Sequence, residues 1–139
     1  MKRLFLLSFF VFLLSGSFGY SQLNSNATFY KDNQPDLYKS VRDRASDKWE
    51  NDYQMVVYEI NQQIDAFDKV RVLFQTEGTD PEILLISMRK WSDNEVKFDR
   101  FISMSEDEVA KANIWTLWFD WQMVVYEYET QSKAKSYID

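Results

Sequence analysis

Apolar residues recur at every third or fourth position along much of the chain, which is the spacing of one face of an α-helix. The clearest case runs from Leu37 to Gln75, a segment without Gly or Pro. The apolar positions there are Val41, Ala45, Trp49, Tyr53, Val56, Ile60, Ile64, Phe67, Val70 and Phe74. This pattern predicts one long helix over about 37–75.

A turn and a new helix start are predicted just after this segment. Gly78 suits a left-handed turn, Asp80 suits an N-cap, and Pro81 suits the first helical position. The apolar positions that follow are Leu84, Met88, Trp91, Phe98 and Ile102, which lie near coiled-coil spacing. We expect one kinked helix over about 81–104. The alternative is that the polar residues at 92–94 break it into two short helices.

A third long helix is predicted at the C-terminal end. Ser105 followed by Glu108 is the sequence of a capping box, which opens a helix over about 106–136. Three long helices joined by short turns predict an all-α domain over 37–139, an up-down-up bundle. A break at 92–94 would make it a four-helix arrangement. Residues 22–36 are polar without a pattern and are expected to be a flexible lead-in.

The N-terminus has the layout of a secretory signal peptide over residues 1–21. Lys2 and Arg3 precede an apolar run from Leu4 to Leu14, and small residues follow before Gln22. The run has roughly half of the 20 residues that a membrane-spanning helix needs. We expect export to the periplasm or the cell exterior, with no stable membrane span after cleavage. The alternative is an uncleaved N-terminal anchor.

Composition excludes several classes of function. Loss of Lys2 and Arg3 changes the net charge from −6 to −8, which disfavours nucleic acid as a partner. The chain has no Cys and no His, so Ser-His-Asp or Cys-His catalysis and the usual zinc sites are excluded. Gly78 is the only Gly after residue 21, so no phosphate-binding glycine loop exists. We predict a non-enzymatic protein with no catalytic residues, no cofactor and no metal site of a familiar type.

One block of sequence occurs twice. Residues 52–66 read DYQMVVYEINQQIDA, and residues 120–134 read DWQMVVYEYETQSKA. Nine of the fifteen positions are identical, and six of them, Gln-Met-Val-Val-Tyr-Glu, are consecutive. So long a match in a short chain indicates an internal repeat.

At about 100° per residue, the Asp, Glu and Gln of each block lie along one line of its helix. These two ladders are Asp52, Glu59 and Gln63 in the first block and Asp120, Glu127 and Gln131 in the second. If the first and last helices are parallel neighbours, both ladders face one seam. That seam would suit a small ligand or a divalent cation, because carboxylate and amide oxygens bind Ca²⁺, Mg²⁺ and Mn²⁺.

Two other interpretations of the ladders stay open. Each ladder could lie at the solvent edge, where Glu and Gln form ordinary i,i+4 pairs. Alternatively, Tyr58, Tyr126 and the Gln amides could satisfy buried carboxylates and thereby set the register between helices.

Aromatic residues surround the last predicted helix, namely Trp115, Trp118, Phe119, Trp121, Tyr126 and Tyr128. They could form a core, or some could lie exposed at an interface, where Trp and Tyr are enriched. Trp118 and Trp121 are therefore added to the six ladder residues as candidate binding residues. The function predicted from the sequence is protein–protein interaction or self-association with an unknown partner. The alternative is small-ligand or divalent-cation binding at the seam.

Overall fold

The computed structural model describes residues 22–111 and 117–139 of the chain, and these residues form seven helices and no strand. The predicted all-α class is confirmed. The helices are α1 (Ser25–Asn33), α2 (Pro35–Trp49), α3 (Tyr53–Gln75), α4 (Pro81–Lys90), α5 (Glu95–Ile102), α6 (Glu106–Lys111) and α7 (Trp121–Ser136).

The predicted bundle of three long helices is wrong, and the first break lies at residues 50–52. Glu50 has a left-handed φ of +48°, which ends α2 after Trp49. The carboxylate of Asp52 accepts a hydrogen bond from the backbone N–H of Met55 and so caps a new helix. The apolar stripe is continuous across this break, so α2 and α3 pack against each other as a helical hairpin.

The other two predicted helices are also divided. Lys90 ends α4 and the side chain of Asn94 caps α5, so the alternative of a break at 92–94 is correct. The expected helix over 106–136 is replaced by α6 and α7, and residues 117–120 between them are not helical. Ser92 and Phe119 form an isolated antiparallel bridge, which holds that segment extended across the end of α4.

The predicted turn residues are confirmed. Gly78 has a φ of +88°, and Asp80 caps α4 by accepting from the backbone of Glu82 and Ile83. Ser105 and Glu108 exchange the two hydrogen bonds of a capping box at the start of α6. These local signals succeed because they depend only on neighbouring residues.

The expected flexible lead-in over 22–36 contains instead α1 and the start of α2. Ala27 and Tyr30 of α1 are buried. The Tyr30 hydroxyl donates to Asp68, and the amide of Asn26 donates to Asp65, both on α3. Because polar groups make much of this contact, the sequence has no apolar stripe that would predict α1.

Two hydrophobic clusters form the interior, and α3 passes through both. The first cluster joins α1, α2 and the N-terminal half of α3. The second joins the C-terminal half of α3 to α4, α5, α7 and the segment at 117–119. Phe67 packs against both clusters.

Within the described ranges, no helix is both long and apolar enough to cross a membrane. The predicted signal peptide, residues 1–21, and Trp115 lie outside those ranges.

Candidate functional site

The two copies of the repeated block begin in the same structural way. Asp52 caps α3 by accepting from the backbone of Met55, and Asp120 caps α7 by accepting from the backbone of Met123, each at 3.2 Å. The first residue of each block is therefore a helix N-cap. This shared role accounts for the spacing of three residues between Asp and Met in both copies.

The similarity extends to residues upstream of each block. A Lys-Trp pair, Lys48-Trp49 at the end of α2 and Lys90-Trp91 at the end of α4, lies on the helix that packs against the block. The backbone N–H of Asp52 donates to the carbonyl of Trp49 at 2.9 Å, and that of Asp120 donates to the carbonyl of Trp91 at 3.0 Å. We call α2 with α3 the first hairpin, and α4 with α7 the second hairpin.

The same side-chain bonds then recur inside each hairpin. In the first, Lys48 contacts Glu59 at 3.1 Å and Gln63 donates to Glu59 at 3.0 Å. In the second hairpin, Lys90 contacts Glu127 at 2.9 Å, and Gln131 donates to Glu127 at 3.0 Å. The two hairpins therefore share a whole set of bonds, and the repeated block supplies only some of the residues that make them.

Sequence reasoning missed the Lys-Trp pairs because their offset differs from that of the block. Only Glu50 and Asn51 separate Trp49 from Asp52, whereas residues 92–119 separate Trp91 from Asp120. The inserted residues of the second hairpin include α5 and α6. The signal of this similarity in the sequence is the dipeptide Lys-Trp, which occurs twice.

The structure does not bring the two predicted ladders to one seam. Of the six ladder residues, it brings together Glu59, Gln63 and Asp120. Gln63 donates from Nε2 to Asp120 at 3.1 Å, and its Oε1 accepts from the backbone N–H of Trp121 at 2.8 Å. We call these residues, with Trp121, the Gln63 junction. It joins the N-terminus of α7 in the second hairpin to the middle of α3 in the first.

The remaining ladder residues lie apart from this junction. Asp52 is exposed at the N-terminus of α3. Glu127 accepts hydrogen bonds from Gln131 and from Lys90, and Gln131 is exposed. The ladders are displaced because the start of α7 meets α3 about three turns after the start of α3.

The carboxylate of Glu59 is buried and fully engaged, with 7% of the residue exposed. Burial opposes its ionisation, but hydrogen bonds from Gln63, Lys48 and Trp49 outweigh that effect and hold the pKa of Glu59 below its usual value. In the first hairpin the geometry thus corresponds to the interpretation in which an amide satisfies a buried carboxylate, with Gln63 as that amide. The solvent-edge interpretation corresponds better to Gln131.

A polar pocket of about 310 Å³ lies beside the Gln63 junction. Arg44, Lys48, Glu59, Gln63, Trp118 and Asp120 are among its lining residues. The guanidinium of Arg44 lies 4.6 Å from the ring centre of Trp118 and forms an ion pair with Asp93 at 3.0 Å. Across residues 22–111 and 117–139, no group of three or more acidic side chains could hold a metal ion.

A second cavity is an apolar groove of about 440 Å³ beside the second hydrophobic cluster. Its walls come from α3, α4, α5, the segment at 117–119 and the start of α7, and they include Phe67, Phe74, Leu85, Met88, Ile102 and Trp121. Phe74 and Ile102 are 53% and 48% exposed. Arg71 is the single charged residue among those that line it.

The two candidate tryptophans contribute to different cavities. Trp121 is 5% exposed and lines the apolar groove, where its ring lies 5.0 Å from that of Phe67. Trp118 is half-buried and lines the polar pocket. Sequence reasoning did not identify the groove, because its lining residues come from four helices and the segment at 117–119 and share no motif.

The chain matches no protein-family model, and no significant similarity relates it to a curated protein or to a solved structure. Any proposal about its function therefore depends on its own cavities and contacts.

Proposed function

We propose that the protein is a non-enzymatic, exported binding protein that receives apolar side chains of a partner protein in the apolar groove. The observation that carries this proposal is the exposure of Phe74 and Ile102 beside a cavity of about 440 Å³ with a lining that is almost entirely carbon. Contiguous exposed apolar surface of this kind marks interaction sites on soluble proteins. Burying it contributes about 25 cal/mol for each Å² removed from water.

The shape of the groove favours a helical partner segment. Its walls are helices, and an amphipathic helix that presents apolar residues at i, i+3, i+4 and i+7 packs well into such a surface. Among the residues that line the polar pocket, Glu59 is unsuited to act as a catalytic acid. Glu59 there is held ionised by its partners, whereas a catalytic acid needs a raised pKa.

Two variants of α3 test the groove with a matched control. Phe74→Asp places a charge at the rim of the groove, and Val72→Asp places the same charge on an exposed position of α3 outside the lining. The probe is 8-anilinonaphthalene-1-sulfonate, followed by fluorescence, with displacement by a synthetic amphipathic peptide that carries leucines at i, i+3, i+4 and i+7.

The native protein is expected to bind about one dye molecule, which the peptide displaces. Phe74→Asp should weaken dye binding by about tenfold, since placing an apolar side chain in such a site is worth about 1.5 kcal/mol or more. Val72→Asp should leave dye binding within about twofold of the native protein. Equal loss in both variants, or no dye binding by the native protein, would contradict the proposal.

The polar pocket supports the alternative function less well. Two of its three carboxylates, Glu59 and Asp120, already accept hydrogen bonds from Gln63, and the ammonium group of Lys48 contacts Glu59. A divalent cation would have to displace that ammonium group. A small ligand with both an acidic and a basic group fits the mixed lining better than a divalent cation does.

A further inference from the structure

We infer that the second hairpin is a receiver for the first hairpin of another copy of this chain, so that copies join head to tail. The template is the Gln63 junction, in which the first hairpin receives Asp120 and Trp121 of the second. This inference goes beyond the groove and does not depend on it, because the surfaces involved are different.

The receiving groups are already assembled on the second hairpin. Gln131 donates to Glu127 at 3.0 Å, the same distance at which Gln63 donates to Glu59. Lys90 contacts Glu127 as Lys48 contacts Glu59. Gln131 is exposed, and its Oε1 accepts no hydrogen bond from any residue in the described ranges. The matching Oε1 of Gln63 is the atom that accepts from the backbone N–H of Trp121.

The donating groups are equally available on the first hairpin. Asp52 and Tyr53 occupy the positions of Asp120 and Trp121 at the start of their helix. Asp52 is exposed, and Tyr53 is 73% exposed. The backbone N–H of Tyr53 has no hydrogen-bond partner among residues 22–111 and 117–139, whereas that of Trp121 donates to Gln63. The two atoms that bond across the internal junction, the backbone N–H of Trp121 and Oε1 of Gln63, therefore have unpaired counterparts in Tyr53 and Gln131. The carboxylate of Asp52 accepts from Met55, as that of Asp120 accepts from Met123, and it is exposed.

The contact between copies is expected to be weaker than the internal junction. Phe67, which packs against Trp121, corresponds to Lys135 in the second hairpin, and Tyr53 replaces Trp121. Less apolar surface is thus buried, and the covalent connection that supports the internal junction is absent. We expect association with a Kd on the order of 100 µM, which is characteristic of small, polar contacts.

Head-to-tail contact has a distinctive consequence. Donor and receiver lie on different surfaces, so each copy keeps one free end, and association continues into chains or closes into rings. A symmetric dimer would use the same surface of both copies and stop at two. The two arrangements are separable by blocking one end at a time.

Two variants block the ends separately. Tyr53→Pro removes the donating backbone N–H at the first helical position, where proline is well accommodated. Gln131→Glu replaces the receiving amide with a carboxylate that repels Asp52. Gln75→Glu, at an exposed position at the end of α3, introduces the same charge as a matched control. Circular dichroism checks that each variant is folded.

Sedimentation velocity from about 10 µM to 1 mM provides the readout. The native protein and Gln75→Glu should show a sedimentation coefficient that rises with concentration beyond that of a dimer. Tyr53→Pro and Gln131→Glu should each stay monomeric. An equimolar mixture of these two should form dimers and nothing larger, because each variant retains the end that the other lacks.

Several results would overturn the inference. These are a native protein that is monomeric at 1 mM, a blocked variant that associates like the native protein, or a mixture of the two variants that stays monomeric. Loss of association in Phe74→Asp but not in Tyr53→Pro would also overturn it, and would assign self-association to the apolar groove instead.

Discussion

The two hairpins make the same bonds in different surroundings. The Gln–Glu pair has the same length in both, 3.0 Å, and each Glu also contacts a Lys. Yet Gln63 is 2% exposed and holds the second hairpin, whereas Gln131 lies at the surface. The same local pattern therefore contains a buried glutamine or an exposed one, according to whether a further element covers it.

The helix starts differ in the same way. Trp121 is buried against Phe67 and Phe119, whereas Tyr53 projects into solvent. The tryptophans of the Lys-Trp pairs also differ. The indole of Trp49 donates to Glu59 at 3.3 Å. The indole nitrogen of Trp91 has no hydrogen-bond partner within the described residues. Trp91 still makes a small contribution to lowering the pKa of Glu127, after Lys90 and Gln131.

The largest expected difference is between Trp121→Ala and Tyr53→Ala. Trp121 is buried where the two hydrophobic clusters meet, so its truncation should lower the free energy of unfolding by about 3–5 kcal/mol. Tyr53 is exposed, and its truncation should change that free energy by no more than about 0.5 kcal/mol. Urea denaturation followed by circular dichroism measures both. Similar losses would show that the two helix starts are not as different as their burial indicates.

The next comparison replaces each repeated glutamine with leucine. Gln63→Leu leaves Glu59, Asp120 and the backbone N–H of Trp121 without their amide partner, which should lower the free energy of unfolding by about 1–3 kcal/mol. Gln131→Leu should cost at most about 0.5 kcal/mol, because water replaces the exposed amide. Urea denaturation at about 5 µM, well below the concentration expected for self-association, keeps the two effects separate. Equal costs would argue against the Gln63 junction.

The smallest expected effect depends on pH. The pKa of Glu59 is lowered in the folded protein, so its stabilising contribution is present above the unfolded value near 4.5 and is lost as the pH falls through the lower, folded value. Glu59→Gln should therefore reduce the free energy of unfolding by about 1 kcal/mol at pH 7, and the deficit should shrink below pH 4. Glu127→Gln is the control and should show a smaller deficit with the same trend, because Glu127 lacks the indole hydrogen bond that Trp49 donates to Glu59. A deficit for Glu59→Gln that is constant from pH 7 to pH 3 would contradict this account.

Local signals in the sequence determined part of this structure. The apolar spacing predicted the helical class, and Gly78, Asp80, Pro81 and the Ser105–Glu108 capping box predicted the turns correctly, because helix caps involve only residues three or four apart. The repeated block also identifies Glu59, Gln63 and Asp120 as candidate residues. Its partners in space, including Lys48 and Trp49, could not be derived from the spacing within a helix.

Only the tertiary structure decided where the long helices break and which copy of the repeat is covered. The sequence period places Asp52 in a polar ladder within one long helix, whereas Asp52 caps a helix in the structure. The period cannot distinguish the two cases, because one long stripe and two shorter stripes in phase have the same spacing. The insertion at 92–119 brings Asp120 to Gln63 and leaves Gln131 uncovered. Burial depends on contacts between residues that are distant in the chain, so two nearly identical segments acquired different roles.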